Sequence, residues 1–192
     1  MTAPAPTLSD SFRQTASSYF AGAKRDWLDL LPVGSDLAVL ELGCGSGATG
    51  ALALRERRCA QWVGIEANPA LAADALYALT DVHAGDPLTV ELPYGGNAFD
   101  IFFCGDALTR VKDREAVLRR LVPLIRRGGE VFLALGVSGD DPAPGFTGKG
   151  VRKLLRRAGV TPERVKCLDP MPSRGWFAPR RFARIEVRGR IR

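Results

Sequence analysis

The chain has 192 residues, 46% of them hydrophobic, and a formal net charge of +6, which suits one well-buried domain and is short for two. No apolar run approaches the roughly 18 residues of a transmembrane helix, and the first residues lack the basic and apolar regions of a signal peptide, so we expect a soluble, cytoplasmic protein that does not enter a membrane. The four cysteines are far apart and His83 is the single histidine, so neither a metal site nor a disulfide framework is predicted.

The charge is divided unevenly along the chain. Residues 1–109 carry 6 Lys and Arg against 13 Asp and Glu, whereas residues 110–192 carry 21 against 8. A basic half can attract nucleic acid, a phosphorylated sugar or an acidic surface. Many of its cations, however, recur at helical spacing opposite Leu and Val, as solvated helix faces do, so a nucleic-acid partner is possible but not favoured. These cations are Arg119, Arg120, Arg126, Arg127, Arg152, Lys153, Arg156 and Arg157.

Residues 1–34 are predicted to be an N-terminal helical segment, followed by the main domain at 35–192. Within the segment, 11–31 reads as one or two amphipathic helices, and Pro32 to Gly34 turn the chain into the first strand.

The first strand is predicted at 37–41 and is followed by Gly43, Gly45 and Gly47 and then by a helix. Glycines allow a sharp turn and let a ligand approach main-chain N–H groups that a Cβ would block. The N-terminus of the next helix offers unsatisfied donors, which suit a carboxylate or phosphate. We therefore expect a nucleotide-like ligand at this turn.

Two cofactor classes fit the turn. Residues 45–50, GSGATG, satisfy the dinucleotide fingerprint GxGxxG, which alone is not specific. With Glu41, the stretch 41–47 resembles the E/DxGxGxG signature of class I methyltransferases that depend on S-adenosyl-L-methionine (SAM). This resemblance implies that Glu41 organises the amino-acid end of SAM while the loop packs along the cofactor. NAD-dependent reduction stays open as an alternative, although no Tyr-x-x-x-Lys motif follows.

Two further acids follow predicted strands. Glu66 ends the strand at 61–66 and lies 21 residues beyond Gly45, close to the spacing of a carboxylate that binds ribose hydroxyls. Capping of the next helix is the alternative role, but Asn68 already supplies that cap. Asp86 follows the strand at 81–85, and the resemblance implies that it binds the adenine amino group. His83 is expected to be a packed histidine of this strand.

The apolar stretch 99–104 predicts a central parallel strand, and the residues after it should face both cofactor and acceptor. It resembles the fourth strand of the methyltransferase 11/12 group, in which Glu-His-Leu usually follows. Here Thr109, Arg110 and Val111 follow instead, so the obvious general base is missing and no catalytic residue is assigned. Methyl transfer from a sulfonium needs mainly an in-line approach, so proximity can carry much of the catalysis.

The remaining elements are predicted as a helix at 113–125, a strand at 130–135, a helix at 149–158 and a hairpin of strands at 165–168 and 182–187. The resemblance extends over roughly residues 15–190. It implies an α/β fold, a Rossmann-like doubly wound sheet of seven strands with the last strand antiparallel. Only a short loop, 136–145, follows the fifth strand, so we expect an open site that takes a large or anionic acceptor, or that a partner subunit or a homodimer mate covers.

The resemblance thus implies SAM-dependent methyl transfer to an unidentified acceptor. The alternative is a non-catalytic SAM-binding or scaffolding module that has lost acceptor chemistry. Tyr19, an aromatic of the N-terminal segment, can close over the cofactor or pack the helix on the sheet. The cofactor candidates are Tyr19, Glu41, Gly43, Cys44, Gly45, Gly47, Glu66, Ala67, Asp86, Pro87 and Cys104, and the acceptor-side candidates are Asp106, Arg110, Arg174 and Trp176.

Overall fold

The computed structural model of the chain describes residues 22–136, 147–170 and 182–192. The strands are β1 (Ala38–Leu42), β2 (Gln61–Glu66), β3 (Asp81–Ala84), β4 (Phe99–Cys104), β5 (Ile125–Gly136), β6 (Val160–Pro170) and β7 (Phe182–Ile191). The helices are α1 (Arg25–Leu28), α2 (Ala48–Arg55), α3 (Pro69–Ala75), α4 (Ala107–Arg110), α5 (Arg114–Leu121) and α6 (Gly148–Arg157), with a 3₁₀ turn at Val122–Leu124.

The seven strands form one sheet in the order β3-β2-β1-β4-β5-β7-β6. Strand β7 is antiparallel to both of its neighbours, and the other adjacent pairs are parallel. This confirms the predicted doubly wound α/β fold with an antiparallel last strand. The strand order reverses between β1 and β4, and open sheets of this kind bind ligands at that reversal, beyond the carboxyl ends of the strands.

Both faces of the sheet are covered by helices, which explains the continuous apolar runs of β1 and β4. Helices α5 and α6 contribute Leu118 and Leu155 to the core on one face. Helices α1 and α2 cover the other face, where Leu28 packs in the same core as Trp62 and Phe103. The sheet is thus a fixed platform for the loops at its edge.

Several element boundaries differ from the predicted ones. Strand β5 begins at Ile125, not at 130, because Ile125 pairs with Phe99 and the register then shifts before Ile101. Helix α5 ends at Leu121, and the chain continues as a 3₁₀ turn around Pro123, whose ring nitrogen cannot donate a hydrogen bond. Strands β6 and β7 are also longer than predicted.

The N-terminal segment is described from residue 22 onward, where α1 is a single turn. Tyr19 and most of the predicted helix at 11–31 lie outside the described residues. Within residues 22–136, 147–170 and 182–192, no helix has the length and apolar character needed to cross a bilayer.

Candidate functional site

The loop between β1 and α2 makes one tight turn that is closed by backbone hydrogen bonds. Gly43 N donates to the Ile65 carbonyl over 2.7 Å. Gly43 and Gly45 have φ values of +76° and +58°, in the left-handed region that favours glycine. A Cβ at Gly43 would overlap Ala107 of α4, whereas a Cβ at Gly45 would meet no atom within 4 Å. The loop is therefore packed against the protein at Gly43 and opens outward at Gly45.

Glu66 joins this loop to the end of β2. Its Oε2 accepts a hydrogen bond from Gly45 N and its Oε1 accepts one from Asn68 N, both over 2.9 Å. The side chain of Asn68 caps α3 by accepting from Ala70 N over 3.0 Å, as predicted. Glu66 therefore does not cap α3, and its partly exposed carboxylate borders the open position at Gly45, with the exposed Ala67 next to it.

Glu41 lies beneath the loop and is only 4% exposed. Its Oε2 accepts a hydrogen bond from the Trp62 indole N–H over 2.7 Å. Burial raises the pKa of Glu41 to about 8, while the Trp62 bond and the charge of Lys24 act in the opposite direction and Glu66 adds to the rise. This carboxyl group is therefore largely protonated at neutral pH.

The two cysteines predicted at the site, Cys44 and Cys104, are buried. They lie at the carboxyl ends of β1 and β4, in the floor of the crevice where the strand order reverses. Burial raises the pKa of Cys44 well above its usual range and that of Cys104 to about 12. A Cβ at Gly64 of β2 would overlap the Cys44 sulfur, so β2 and the loop are in close contact there. Both thiols stay neutral and act as apolar lining rather than as nucleophiles.

Asp86 begins the loop after β3, and its Oδ1 accepts from Leu88 N over 2.7 Å. The side chain is exposed. Arg120 of α5 holds the same loop from below, because it donates to the Pro87 carbonyl over 2.5 Å and to the Val90 carbonyl. The expectation that Arg120 belongs to a solvated helix face is thus wrong. Sequence reasoning missed its role because backbone carbonyl acceptors leave no mark in the residue pattern.

His83 belongs to the edge strand β3 and is packed, as expected. Its Nε2 lies 3.0 Å from the Tyr94 hydroxyl, which donates to Asp81 Oδ2 over 2.6 Å. The hydrogen bond from Tyr94 lowers the pKa of Asp81. The three side chains tie the chain before β4 to the sheet edge.

A lysine that the sequence analysis did not select lies across the end of β4. Lys24 Nζ is 2.5 Å from Asp106 Oδ2 and 4.8 Å from the centroid of the Trp27 ring. The backbone N of Lys24 donates to the buried Thr49 of α2 over 3.2 Å. A Cβ at Gly105 would lie 2.6 Å from Nζ, so the lysine rests directly on the backbone after β4.

The other predicted acceptor-side residues are less clearly placed. Arg110 ends α4 and is exposed. The end of α4 is anchored by Arg114, which donates to the carbonyls of Leu108 and Thr109 over 2.8 and 2.7 Å. Arg174 and Trp176 lie outside the described residues.

The chain is similar to proteins of one family. A family model described as a methyltransferase domain matches residues 40–131. A trans-aconitate 2-methyltransferase of Azoarcus sp. is 24% identical over 161 residues, which are 81% of this chain and 59% of that protein. The chain thus spans about 59% of the length of this curated relative.

Solved structures share the fold at low sequence identity. A chain in the complex between the Trm112 methyltransferase activator and a methyltransferase of Haloferax volcanii superposes with a TM-score of 0.70, at 17% identity and over 95% of both chains. A SAM-dependent methyltransferase of Mesorhizobium loti superposes with a TM-score of 0.68, at 18% identity over 89% of this chain and 99% of that one. With the strand order, these matches show that the chain has the class I methyltransferase fold and that residues 40–131 are similar to a methyltransferase domain.

Proposed function

We propose that the protein binds SAM beyond the carboxyl ends of β1, β2 and β4 and transfers its methyl group to an anionic acceptor. The observation that carries the proposal is the open position at Gly45, where a Cβ would meet no atom within 4 Å and where the backbone N donates to Glu66 Oε2 over 2.9 Å. An outward-facing glycine beside a carboxylate suits a ligand that packs on the backbone and presents hydroxyl groups.

The contacts proposed for the nucleoside come from two loops. Each Glu66 oxygen accepts one backbone N–H and keeps a further lone pair for a ribose hydroxyl. Asp86 and Pro87 would face the adenine, with Arg120 holding their loop in place. Cys44 and Cys104 would form the apolar floor. Tyr19 remains a proposal as a lid residue, since it lies outside the described residues.

The amino-acid end of SAM carries a carboxylate and an ammonium group, and charged side chains of both signs lie near the end of β4. Lys24 would pair with the carboxylate, exchanging its contact with Asp106 for the ligand. Glu41, beneath the loop, would face the ammonium group. This exchange leaves Asp106 available to the acceptor side, together with the exposed Arg110.

The cofactor supplies an electrophilic methyl group on a sulfonium. The residues of this chain orient it, exclude water from its underside through the buried floor, and leave the acceptor to approach in line. The acceptor's nucleophile forms the new bond to carbon, the carbon–sulfur electrons remain on sulfur, and the acceptor's proton, if it has one, leaves to solvent.

An anionic acceptor is supported by two observations. The cations Lys24 and Arg110 lie at this edge of the described structure. The curated relative is named for trans-aconitate, a carboxylate. A screen of small carboxylic acids, with detection of S-adenosylhomocysteine, tests this part of the proposal.

Cofactor binding is tested by thermal unfolding and calorimetry with SAM, S-adenosylhomocysteine and NAD. A ligand present at about a hundred times its Kd adds roughly 2.7 kcal/mol to the free energy of unfolding. We expect a rise with SAM and S-adenosylhomocysteine only. A shift with NAD alone would reverse the choice of cofactor.

A pair of glycine variants locates the ligand. Gly45→Val should abolish SAM binding, because the side chain would stand in the open position and resist positive φ. Gly128→Val is the matched control, since Gly128 also has positive φ, +75°, and open space for a Cβ but lies near the start of β5, away from the crevice. The control should be destabilised similarly and still bind SAM. Binding by both variants would place the ligand elsewhere.

A further inference from the structure

Helix α6 carries five cations among its ten residues and no acid, with the sequence GKGVRKLLRR. Its apolar side, which includes Val151 and Leu155, is buried in the core. The cations lie on the opposite side, and only Arg152 among them is partly buried. We call this surface the α6 basic face, defined by Lys149, Arg152, Lys153, Arg156 and Arg157.

The charge of this face is largely uncompensated within the described part of the chain. Arg157 reaches Glu115 of α5 over 3.3 Å, but the other four cations have no acidic partner among residues 22–136, 147–170 and 182–192. By contrast, Arg188 and Arg190 of β7 pair with Glu130 and Glu163 over 2.9 and 2.8 Å. Among the described helices and strands of residues 110–192, α6 thus carries the densest group of cations without acidic partners.

The spacing of the cations fits a linear array of charge. Lys149, Lys153 and Arg156 recur at intervals of three or four residues and so lie on one side of the helix. Their backbone positions span about 10 Å along the helix axis, which is close to the rise of three base pairs. Phosphates of a nucleic-acid strand therefore recur within the reach of these long side chains.

The side chains that α6 exposes distinguish between a membrane surface, a protein and a nucleic acid as the anionic partner. A membrane-surface helix inserts an apolar side into lipid, but Val151 and Leu155 already occupy the core. Protein interfaces are anchored by Trp and Tyr as well as Arg, and α6 has arginines but no aromatic side chain. Base stacking also needs aromatic rings. Contact with phosphates needs only exposed cations.

We propose that the α6 basic face docks the phosphate backbone of a nucleic acid, independently of its base sequence. This inference goes beyond methyl transfer and does not depend on it, because no residue of the face belongs to the cofactor site.

The test is fluorescence anisotropy with a labelled duplex DNA and an RNA of equal length, each at 50 and 200 mM salt. The four cations of the face without an acidic partner can each contact one phosphate. Four such contacts predict that affinity for the duplex falls roughly 150-fold between these salt concentrations. Binding of either oligonucleotide with such salt dependence supports the proposal, and the two arms show which nucleic acid is preferred. Binding to phosphatidylserine vesicles without binding to either oligonucleotide would overturn it.

Two double variants that change the net charge equally distinguish binding by the α6 basic face from binding that depends only on the net charge of the protein. Lys153→Glu with Arg156→Glu should weaken binding at least tenfold at 50 mM salt and reduce the salt slope by about 1.8. Lys112→Glu with Arg127→Glu changes exposed cations that also have no ion pair among the described residues, and it should alter affinity less than threefold. Equal losses in both variants would refute a docking surface. SAM binding, measured by calorimetry, should be unchanged in both and shows that they are folded.

Discussion

Replacing the buried Glu41 by Gln should remove a pH dependence from the stability of the protein. The pKa of Glu41 is 4.5 in the unfolded chain and about 8 in the folded one. Between these values the folded state holds a proton that the unfolded state has lost. Each rise of one pH unit therefore lowers the free energy of unfolding by about 1.4 kcal/mol, and the penalty becomes constant above pH 8. From pH 5 to pH 7 the loss is about 2.7 kcal/mol.

The glutamine variant keeps an oxygen that can accept the Trp62 N–H but does not titrate. Urea unfolding at pH 5, 6, 7 and 8 should show the stability of Glu41→Gln rising relative to the natural protein as pH increases. Taking the difference between the two proteins cancels the titration of other groups. Glu91→Gln makes the same change at an exposed carboxyl and is the control. A constant difference over pH 5 to 7, or the same trend in the control, would refute the titration of Glu41.

Three further predictions concern the site. Glu66→Ala should weaken SAM binding in calorimetry by about 1 to 3 kcal/mol, because hydrogen bonds to a charged acceptor are lost, and an unchanged Kd would remove Glu66 from the site. Arg120→Ala should release the loop after β3 and lower SAM affinity, whereas Arg119→Ala, which changes an exposed neighbour, should not; equal affinities would show that the loop does not contact SAM. Trp176→Ala with Arg174→Ala should impair acceptor use and leave SAM affinity intact. Loss of both SAM binding and acceptor methylation would show that the two residues have a structural role and do not bind the acceptor.

The features that could be predicted from sequence are those that a residue pattern within one short stretch indicates. The alternation of glycines after β1 and the acid at the end of β2 are of this kind, and the structure places Glu66 against Gly45. The contact between Lys24 and Asp106 joins residues that are 82 positions apart, and no local pattern pairs them. Burial, rather than residue type, makes Glu41 differ chemically from Glu66, and burial is a property of the assembled sheet.

The order of the strands also matters for how the chain folds. Strand β7 follows β6 along the chain but is inserted between β5 and β6, so β5 and β6 share no hydrogen bonds with each other. During synthesis on the ribosome both strands therefore emerge with an unpaired edge, and both edges stay open until residues 182–191 are available. Open strand edges are the sites at which incompletely folded chains associate with one another. A truncation before β7 would thus leave β5 and β6 without the partner they share, and it should favour aggregation over a smaller soluble sheet.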